Sequence, residues 1–304
     1  MDFHELQYIL TIAKYGKISY AARELYIAQS SLSQFLKAYE DKLGFQLFTR
    51  TNRGMIPTEK GELFLSTARQ IMNLRHTFFT QISDIDNLRW GKVIFSISTF
   101  RAPYLLPKVI PTFMERYPNI ELVIQEASME EQEVLLAKGE IDVGLITTPS
   151  KAADFTCRHA MDEEILLAVP KDDPLCLKAH SPGITKRPWI DVNDISHQRF
   201  LLYSVNHKLR TFAEALFAAY HLEPKIVQSH SSFETLIRLA DIGLGITFLP
   251  ETYLEPREGL RHFSIGEQGH YRPLLLGYPS VRSISKAAKA FSDIVVEVLE
   301  KQKK

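Results

Sequence analysis

The chain has 304 residues, 45% of them hydrophobic, and its 36 lysines and arginines balance 36 aspartates and glutamates. This length suggests two or three domains, and the composition excludes a wholly disordered protein. A net charge of zero also excludes the simple argument that a basic protein binds nucleic acid. No apolar run approaches a membrane span, and the N-terminus "MDFHELQYIL" lacks a secretion signal, so we expect a cytoplasmic protein with no membrane association.

Cysteine, histidine and glycine patterns offer little chemistry. Cys157 and Cys176 cannot form a disulfide framework in a chain of this size, and we expect two reduced thiols rather than a redox pair. The ten histidines show no HxxxH spacing, so we predict no metal. Gly243 and Gly245 precede a predicted strand instead of following one, which argues against a dinucleotide loop and leaves no cofactor predicted.

The first 57 residues have the pattern of a helix-turn-helix. We expect Ser19 to cap one helix, a turn near residues 26–28, and a second helix that continues to Tyr39. The alternative is an ordinary helical hairpin whose apolar residues only build a core. The apolar positions that would lock the two helices together are Ala21, Leu25, Ile27, Leu32 and Phe35.

A turn-rich stretch follows the second helix. Gly44 ends that helix, "FQLF" indicates a short strand, and "TNRG" has the composition of a tight turn before Pro57. We interpret the stretch as a wing with Arg50 at its base and Arg53 at its tip. Arginines placed there reach DNA phosphates or the minor groove, although either one alone is equally typical of a solvated turn.

The segment "ISYAARELYIAQSSLSQFLKAYEDKLGFQLFTRTNRGMIPTEKGELF" resembles the winged helix-turn-helix of LysR-type transcriptional regulators. The shared landmarks include Gln-Ser-Ser-Leu-Ser at 29–33, Leu43-Gly44 and Thr58-Glu59 with Gly61. The resemblance implies that the second helix enters the DNA major groove, with Lys37 on phosphate. We therefore predict these DNA-contacting residues: Gln29, Ser30, Ser31, Ser33, Gln34, Lys37, Arg50 and Arg53.

The segment departs from the family pattern at several positions. Ala28 stands where the family usually has a capping Ser or Thr, which should cost about 1 kcal/mol of helix-cap stability unless a neighbouring serine replaces it. Ser30 replaces a common proline, and Gln34 replaces a frequent arginine. Phe35 and Tyr39 replace a polar residue and a leucine. These differences leave the fold intact and alter the family's usual base contacts.

Residues 58–90 are expected to form one long linker helix. Apolar residues recur there at heptad spacing, and a helix of about 30 residues is roughly 45 Å long. We favour pairing with a second subunit over the alternative, a helix that lies on its own chain. The resemblance likewise implies a homodimer through this helix and a homotetramer. The stripe consists of Phe64, Thr67, Ala68, Ile71, Leu74, Phe78, Gln81, Ile82, Ile85 and Leu88.

From residue 91, apolar strand-like runs alternate with helices, which indicates an α/β domain that begins with a parallel β-α-β-α-β unit. A second similar series and a late strand suggest two lobes, at about 91–160 with 270–304 and about 161–269. "LAKGEIDVGLIT" and "SSFETLIRLADIGLGITFLPE" resemble the LysR-type effector domain. The predicted fold is a helix-rich winged helix-turn-helix (1–57), a linker helix (58–90), and a bilobed α/β domain (91–304) resembling type 2 periplasmic-binding proteins.

Ligands of such sheets bind beyond the carboxyl ends of the strands, between the lobes. Hydroxyls and helix N-termini there suit a small organic anion, and Arg101 offers a full charge. Each serine or threonine taken alone is better explained as a helix cap. The predicted effector-binding residues are Ser98, Thr99, Arg101, Ser128, Thr147, Thr148, Tyr203, Ser204, Asn206, His230, Thr247 and Phe248, with Ser231 as a neighbour.

These patterns favour a transcriptional regulator that binds double-stranded DNA and responds to an unidentified small-molecule effector. RNA polymerase is a further expected partner if the protein is an activator. A plain solute-binding protein is the first alternative, opposed by residues 1–88 and the missing signal. An enzyme is the second, for which no nucleophile-base-acid grouping or metal set is present.

Overall fold

The computed structural model describes residues 2–52, 54–85, 90–148, 154–205, 207–255 and 257–302. The N-terminal region, here called the head, is three helices followed by a two-stranded antiparallel wing. The winged helix-turn-helix is therefore present as predicted. Its elements are α1 (Phe3–Tyr15), α2 (Ile18–Glu24), α3 (Gln29–Leu43), β1 (Phe48–Thr51) and β2 (Gly54–Pro57).

The start of α2 differs from the prediction. Lys17, not Ser19, is the N-cap residue, and no side chain caps this helix. Ser19 lies inside the first turn because α2 already begins at Ile18. Ile18 packs in the head core and is only 9% exposed. The predicted turn is present, and Tyr26 adopts the left-handed conformation there with φ of 54°.

The head core explains one landmark of the sequence. Gly61 packs so closely on the wing that a Cβ atom would lie 2.0 Å from the carbonyl oxygen of Leu47. Thr58 fixes this contact, because its hydroxyl donates to the Gln46 carbonyl at 2.8 Å and accepts from the Gly61 amide at 2.9 Å. The Thr-Glu-x-Gly segment thus ties the wing to the next helix.

That next helix, α4 (Glu59–Ile85), has 27 residues and a length of about 40 Å. The predicted stripe is divided between two environments. Phe64 and Ala68 belong to the head, where Phe64 meets Tyr39 edge to face at 5.9 Å. Leu74 and Phe78 are 71% and 57% exposed. Thr67 and Gln81 are also exposed, Ile71 and Ile82 are half-buried, and Leu88 lies outside the described residues, as does the side chain of Ile85.

The first half of the α/β region has the predicted order. Strand β3 pairs in parallel with both β4 and β5, and α5 and α6 connect them. We call this part, together with α9, lobe I; it has its own core around Phe95, Phe113 and Phe291. Its elements are β3 (Gly91–Ile97), α5 (Ala102–Arg116), β4 (Ile120–Glu126), α6 (Met129–Lys138), β5 (Val143–Thr147) and α9 (Lys286–Gln302).

Lobe II has a separate core around Phe200 and Phe248. Two long antiparallel strands, β6 and β12, run through both lobes and join them. The apolar run "EILLAVP" at 164–170 indicates a strand there, whereas β6 already begins at Phe155. The remaining elements are β6 (Phe155–Pro170), β7 (Trp189–Ile190), β8 (Arg199–Tyr203), α7 (Lys208–Ala219), β9 (Lys225–His230), α8 (Phe233–Asp241), β10 (Thr247–Pro250), β11 (Leu260–Ile265) and β12 (His270–Pro279), with short 3-10 turns at Pro174–Lys178, Val192–Ile195 and Glu251–Tyr253.

The large sheet has the strand order β4-β3-β5-β12-β6-β11-β7, with β10 also paired to β6. Strands β3, β4 and β5 are parallel, so their carboxyl ends lie at the same edge of the sheet. Residues at that edge share a cavity with residues of lobe II. Among the described residues, no helix is long and apolar enough to cross a lipid bilayer.

Candidate functional site

Helix α3 presents two different faces. Leu32, Leu36 and Tyr39 are buried in the head core, at most 4% exposed. The opposite face is polar, as an amphipathic helix on a small core requires, and toward its C-terminal end it also carries the exposed Asp41 and Lys42. Gln29, Ser30, Ser31, Gln34 and Lys37 are exposed there, and Ser33 is half-buried.

The wing lies beside that polar face. Arg50 on β1 donates from Nη2 to Ser33 Oγ at 3.1 Å, which holds the guanidinium against the helix. Glu40 fixes the approach to the wing, because its carboxylate accepts from the amides of Leu47 and Phe48 at 2.6 and 3.1 Å. A groove of about 890 Å³ separates helix and wing, with Gln34 and Lys37 on its wall. Arg53 lies outside the described residues.

The N-terminus of α3 has the expected irregular cap. Ala28 is the N-cap residue with extended backbone, and no side chain accepts a hydrogen bond from the first turn. Neither Ser30 nor Ser31 replaces the missing cap. The amides of this first turn stay available to an anion. Tyr26, 96% exposed in the preceding turn, was not among the predicted residues, although large exposed aromatics in turns are a usable signal.

A second concave site lies where the two lobes meet. The cavity measures about 380 Å³ and is bounded by the carboxyl ends of β3, β5 and β8 and by the N-termini of α5, α6 and α7. Six of the twelve predicted effector residues line it. They are Ser98, Thr99, Arg101, Ser128, Thr147 and Ser204, with the neighbour Ser231. Ser128 is also the N-cap residue of α6, which is the alternative role that the sequence suggested for each serine or threonine.

Arg101 does not offer the free charge that the sequence suggested. Its side chain is 5% exposed and forms a two-point ion pair with Glu163, at 2.7 and 3.1 Å. Arg272 pairs with the other side of the same carboxylate at 2.8 Å, and Thr252 hydrogen-bonds to it. Burial raises the pKa of Glu163, but the two guanidinium groups outweigh this and lower it to about 2.

Several predicted residues lie outside the cavity. Thr247 donates to the Leu201 carbonyl at 2.7 Å, and Phe248 stacks on Phe200 in the core of lobe II, so both serve packing. These side chains are buried because β10, which pairs with β6, packs on the core of lobe II. Tyr203 is buried and stacked on His207 at 4.2 Å. His230 accepts a hydrogen bond from the Ser232 amide and does not line the cavity. Thr148 does not line it either, and Asn206 lies outside the described residues.

Six polar residues of the cavity were missed: Glu130, Gln132, His207, Lys208, Tyr253 and Arg272. His207 caps α7 through its ring nitrogen, and burial, aided by Arg272, lowers its pKa to about 4, so the ring is neutral near pH 7. Lys208 is exposed at the same helix start, and Arg272 lies on the cavity wall. They were missed because none follows a predicted strand directly. A histidine and a lysine at a helix N-terminus would have been the available signal.

The two thiols are separate. Cys157 is exposed on β6 in lobe I, whereas Cys176 follows that strand in lobe II and donates to the Pro170 carbonyl at 3.3 Å. Burial raises the pKa of both thiols above the ordinary value. Within the described part of the chain, no three His, Cys, Asp or Glu side chains come together as a metal site.

Comparison with protein families gives two matches that together span almost the whole chain. Residues 3–62 match the bacterial regulatory helix-turn-helix protein family, lysR type, and residues 91–300 match the LysR substrate binding domain. The first match contains the groove beside α3, and the second contains the cavity between the lobes.

Relatives match along the full chain. The chain is 28% identical to the Hca operon transcriptional activator HcaR of Escherichia coli, over 92% of this chain and 90% of that one. It is 26% identical to the hydrogen peroxide-inducible genes activator of Haemophilus influenzae, over 99% of both. A full-length OxyR from Pseudomonas aeruginosa has the same fold, with a TM-score of 0.70 at 23% identity, over 97% of this chain and 98% of that one.

Proposed function

Because this chain belongs to the LysR family of DNA-binding transcriptional regulators, we propose how it contacts its operator and which class of effector it binds. Regulators of this family carry an effector-binding domain behind the DNA-binding head. The observation that carries the proposal is the polar face of α3, exposed beside the wing while the other face is buried.

In the DNA complex, α3 lies in the major groove. Gln29 and Gln34 offer paired donor and acceptor groups to adenine, and the serines adapt to several base edges. Lys37 and Arg50 bind phosphates, with Arg50 held in place by Ser33. Arg53, by its place in the sequence between the two wing strands, remains a predicted minor-groove contact. Tyr26 joins them as a phosphate donor, because it is the exposed turn residue next to the start of α3.

Two subunits pair through the exposed face of α4. Leu63, Leu74 and Phe78 are 71%, 71% and 57% exposed and lie along one side of the helix. Pairing these faces removes apolar surface from water and places two heads on one DNA, which raises affinity through effective concentration. A homotetramer then forms from two such dimers. The double substitution Leu74→Glu and Phe78→Glu should give monomers in sedimentation; an unchanged assembly would contradict the pairing.

The cavity between the lobes takes a small organic anion with an apolar part. Arg101, Glu163 and Arg272 together leave one positive charge, Lys208 adds a second at the rim, and Glu130 on the lining offsets one of the two, so one net positive charge remains. Three helix N-termini also favour negative charge. Phe100, Leu145 and Ile146 supply the apolar wall. A volume of about 380 Å³ suits a metabolite of modest size.

Thiol oxidation by peroxide is not the proposed signal, although several relatives are named as peroxide-inducible activators. A peroxide-sensing thiol needs thiolate character, and burial raises the pKa of both cysteines here. Cys157 and Cys176 also lie in different lobes, so no disulfide connects them without rearrangement. The protein works in the cytoplasm, with RNA polymerase as a partner if it activates transcription.

Two measurements test these assignments. A thermal-shift screen of small organic acids should find a stabilising ligand whose effect is lost in Lys208→Ala and kept in Lys108→Ala, a lysine on the outer face of α5. Footprinting should then show that this ligand changes the protected region of the operator. An identical footprint with and without bound ligand would contradict coupling between cavity and head.

A further inference from the structure

Helix α4 contacts lobe I through one polar face. Asn73 donates from Nδ2 to the Lys138 carbonyl at 2.9 Å, and His76 Nε2 lies 3.2 Å from Asp142 Oδ1. Arg69 lies 3.7 Å from Glu140. These α4 residues are spaced four and three apart and therefore share one side of the helix. The head, which is continuous with α4, is thus held against lobe I.

A cavity of about 260 Å³ lies inside this junction, separate from the DNA groove and from the cavity between the lobes. We call it the junction cavity. Three elements bound it: α1 with Gln7 and Lys14, α4 with Arg69, and lobe I with Lys138 and Arg282.

Arg282 lines this cavity with a buried side chain, which is only 5% exposed. It donates from Nη1 to Asp142 at 2.6 Å and from Nη2 to the carbonyls of Gly139 and Ile141 at 3.2 and 3.1 Å. Its Nε has no acceptor among the described residues, and the same is true of Arg69 Nε. Two buried Nε atoms beside one cavity, one on the buried Arg282 and one on the half-buried Arg69 whose nearest carboxylate is 3.7 Å away, therefore lack a hydrogen-bond acceptor within the described ranges, which indicates that a bound group supplies it.

The charges around the junction cavity do not balance. Lys14, Arg69, Lys138 and Arg282 are positive, and in the described part of the chain no carboxylate lies in ion-pair distance of Lys14 or Lys138. The acidic groups facing these cations are Glu140 on Arg69 and Asp142 on Arg282. Two positive charges therefore remain, which suits one doubly charged anion.

We propose that the junction cavity binds a tetrahedral dianion of the phosphate class, either inorganic phosphate or the phosphoryl group of a small metabolite. The volume exceeds that of one such group, and the lining offers N–H donors from head, linker helix and lobe I. A dianion bound to all three stabilises the arrangement in which the head rests against lobe I. It thereby supplies a second input to DNA binding, independent of the effector between the lobes.

Equilibrium dialysis of the full-length protein with radiolabelled inorganic phosphate, at constant ionic strength set by chloride, tests the proposal. We expect one saturable site per chain. Lys14→Ala and Lys138→Ala should each weaken it about tenfold, as expected for loss of one charge-assisted contact. Two matched lysine variants, Lys208→Ala in the other cavity and Lys108→Ala on α5, should leave it unchanged.

Competition identifies the source of the phosphoryl group. Unlabelled glycerol 3-phosphate is added as a competitor of the labelled phosphate. If its dissociation constant is lower than that of phosphate, the site is assigned to a phosphorylated metabolite. If it is higher, the site is assigned to free phosphate. Absence of saturable uptake would overturn the proposal and leave a cavity that holds water only. Unchanged affinity in Lys14→Ala or in Lys138→Ala, or loss of binding in Lys208→Ala, would also overturn it.

Discussion

The polar face of α3 and the cavity between the lobes were both predicted as binding sites, yet their arginines have opposite environments. Arg50 is exposed on the wing and, among the described residues, forms no ion pair but a hydrogen bond to Ser33, so its charge remains available to DNA. Arg101 is buried, donates to Thr252, and forms an ion pair with Glu163, a carboxylate that also pairs with Arg272. A site made by one helix and its neighbouring turn follows local sequence, whereas a site made by several strand ends depends on partners far along the chain.

The largest expected effect is that of Glu163→Gln, which tests whether the buried ion pairs beside the cavity between the lobes stabilise the fold. Removing the carboxylate leaves the buried guanidinium groups of Arg101 and Arg272 uncompensated, so we expect a loss of about 3–5 kcal/mol in the free energy of unfolding. Urea denaturation measures it. The matched variant Glu121→Gln breaks only an exposed pair with Lys92 and should change stability by less than about 0.5 kcal/mol. Equal losses in both variants would contradict the difference.

The carboxylate of Glu163 also makes the stability of the protein depend on pH in the acid range. Its pKa is about 2 in the folded protein and about 4.5 when unfolded, so its contribution is complete above pH 4.5 and declines as pH falls toward 2. Wild type should therefore lose stability in that interval more steeply than Glu163→Gln. Parallel pH profiles from denaturant midpoints would show that the ion pair is not the cause.

On the DNA side, Gln34→Ala tests direct base contact. Gln34 is exposed on α3 and lies on the wall of the groove. Loss of a bidentate base contact costs about 1–3 kcal/mol of discrimination at one operator position. Binding to an operator and to versions altered at single positions measures this. Equal loss on every sequence, including random DNA, would make Gln34 a phosphate contact.

Arg50→Ala supplies the contrasting result. A phosphate contact carries no sequence information, so binding should weaken by a similar factor on all sequences, and the dependence of log affinity on log salt should become shallower by about one per head. Arg199→Ala, which removes an arginine bonded to the Gly243 carbonyl in lobe II, serves as control. A sequence-selective loss in Arg50→Ala would instead indicate base contact.

The smallest expected effect is on the helix start. Ala28 lacks a capping side chain at the N-cap position of α3, so Ala28→Ser should stabilise the head by about 1 kcal/mol and leave DNA binding equal or tighter. Thermal unfolding and operator affinity measure the two. Ala38→Ser, in the middle of the same helix, should not stabilise. Clear loss of binding in Ala28→Ser would mean that the amides of the first turn need to be free.

Local patterns predicted most elements well. The parallel β3-β4-β5 unit with its two helices lies where the alternation of apolar runs and helices placed it. The first half of β6 was missed because its sequence, "FTCRHAMDE", is too polar to indicate a buried strand by itself. It is a strand because β12 pairs with it over ten residues. Its environment, not its composition, determines its conformation.

For this protein, the sequence alone determined the family, the helix-turn-helix with its polar recognition face, and the position of the cavity at strand ends. These follow from periodicity and turn chemistry, whose causes lie within a few residues. Only the tertiary structure decided that Arg101 is neutralised by Glu163, that Thr247 and Phe248 serve packing, and that α4 rests on lobe I around a basic cavity. Each of these depends on charges and surfaces brought together from distant parts of the chain, where burial sets their energies.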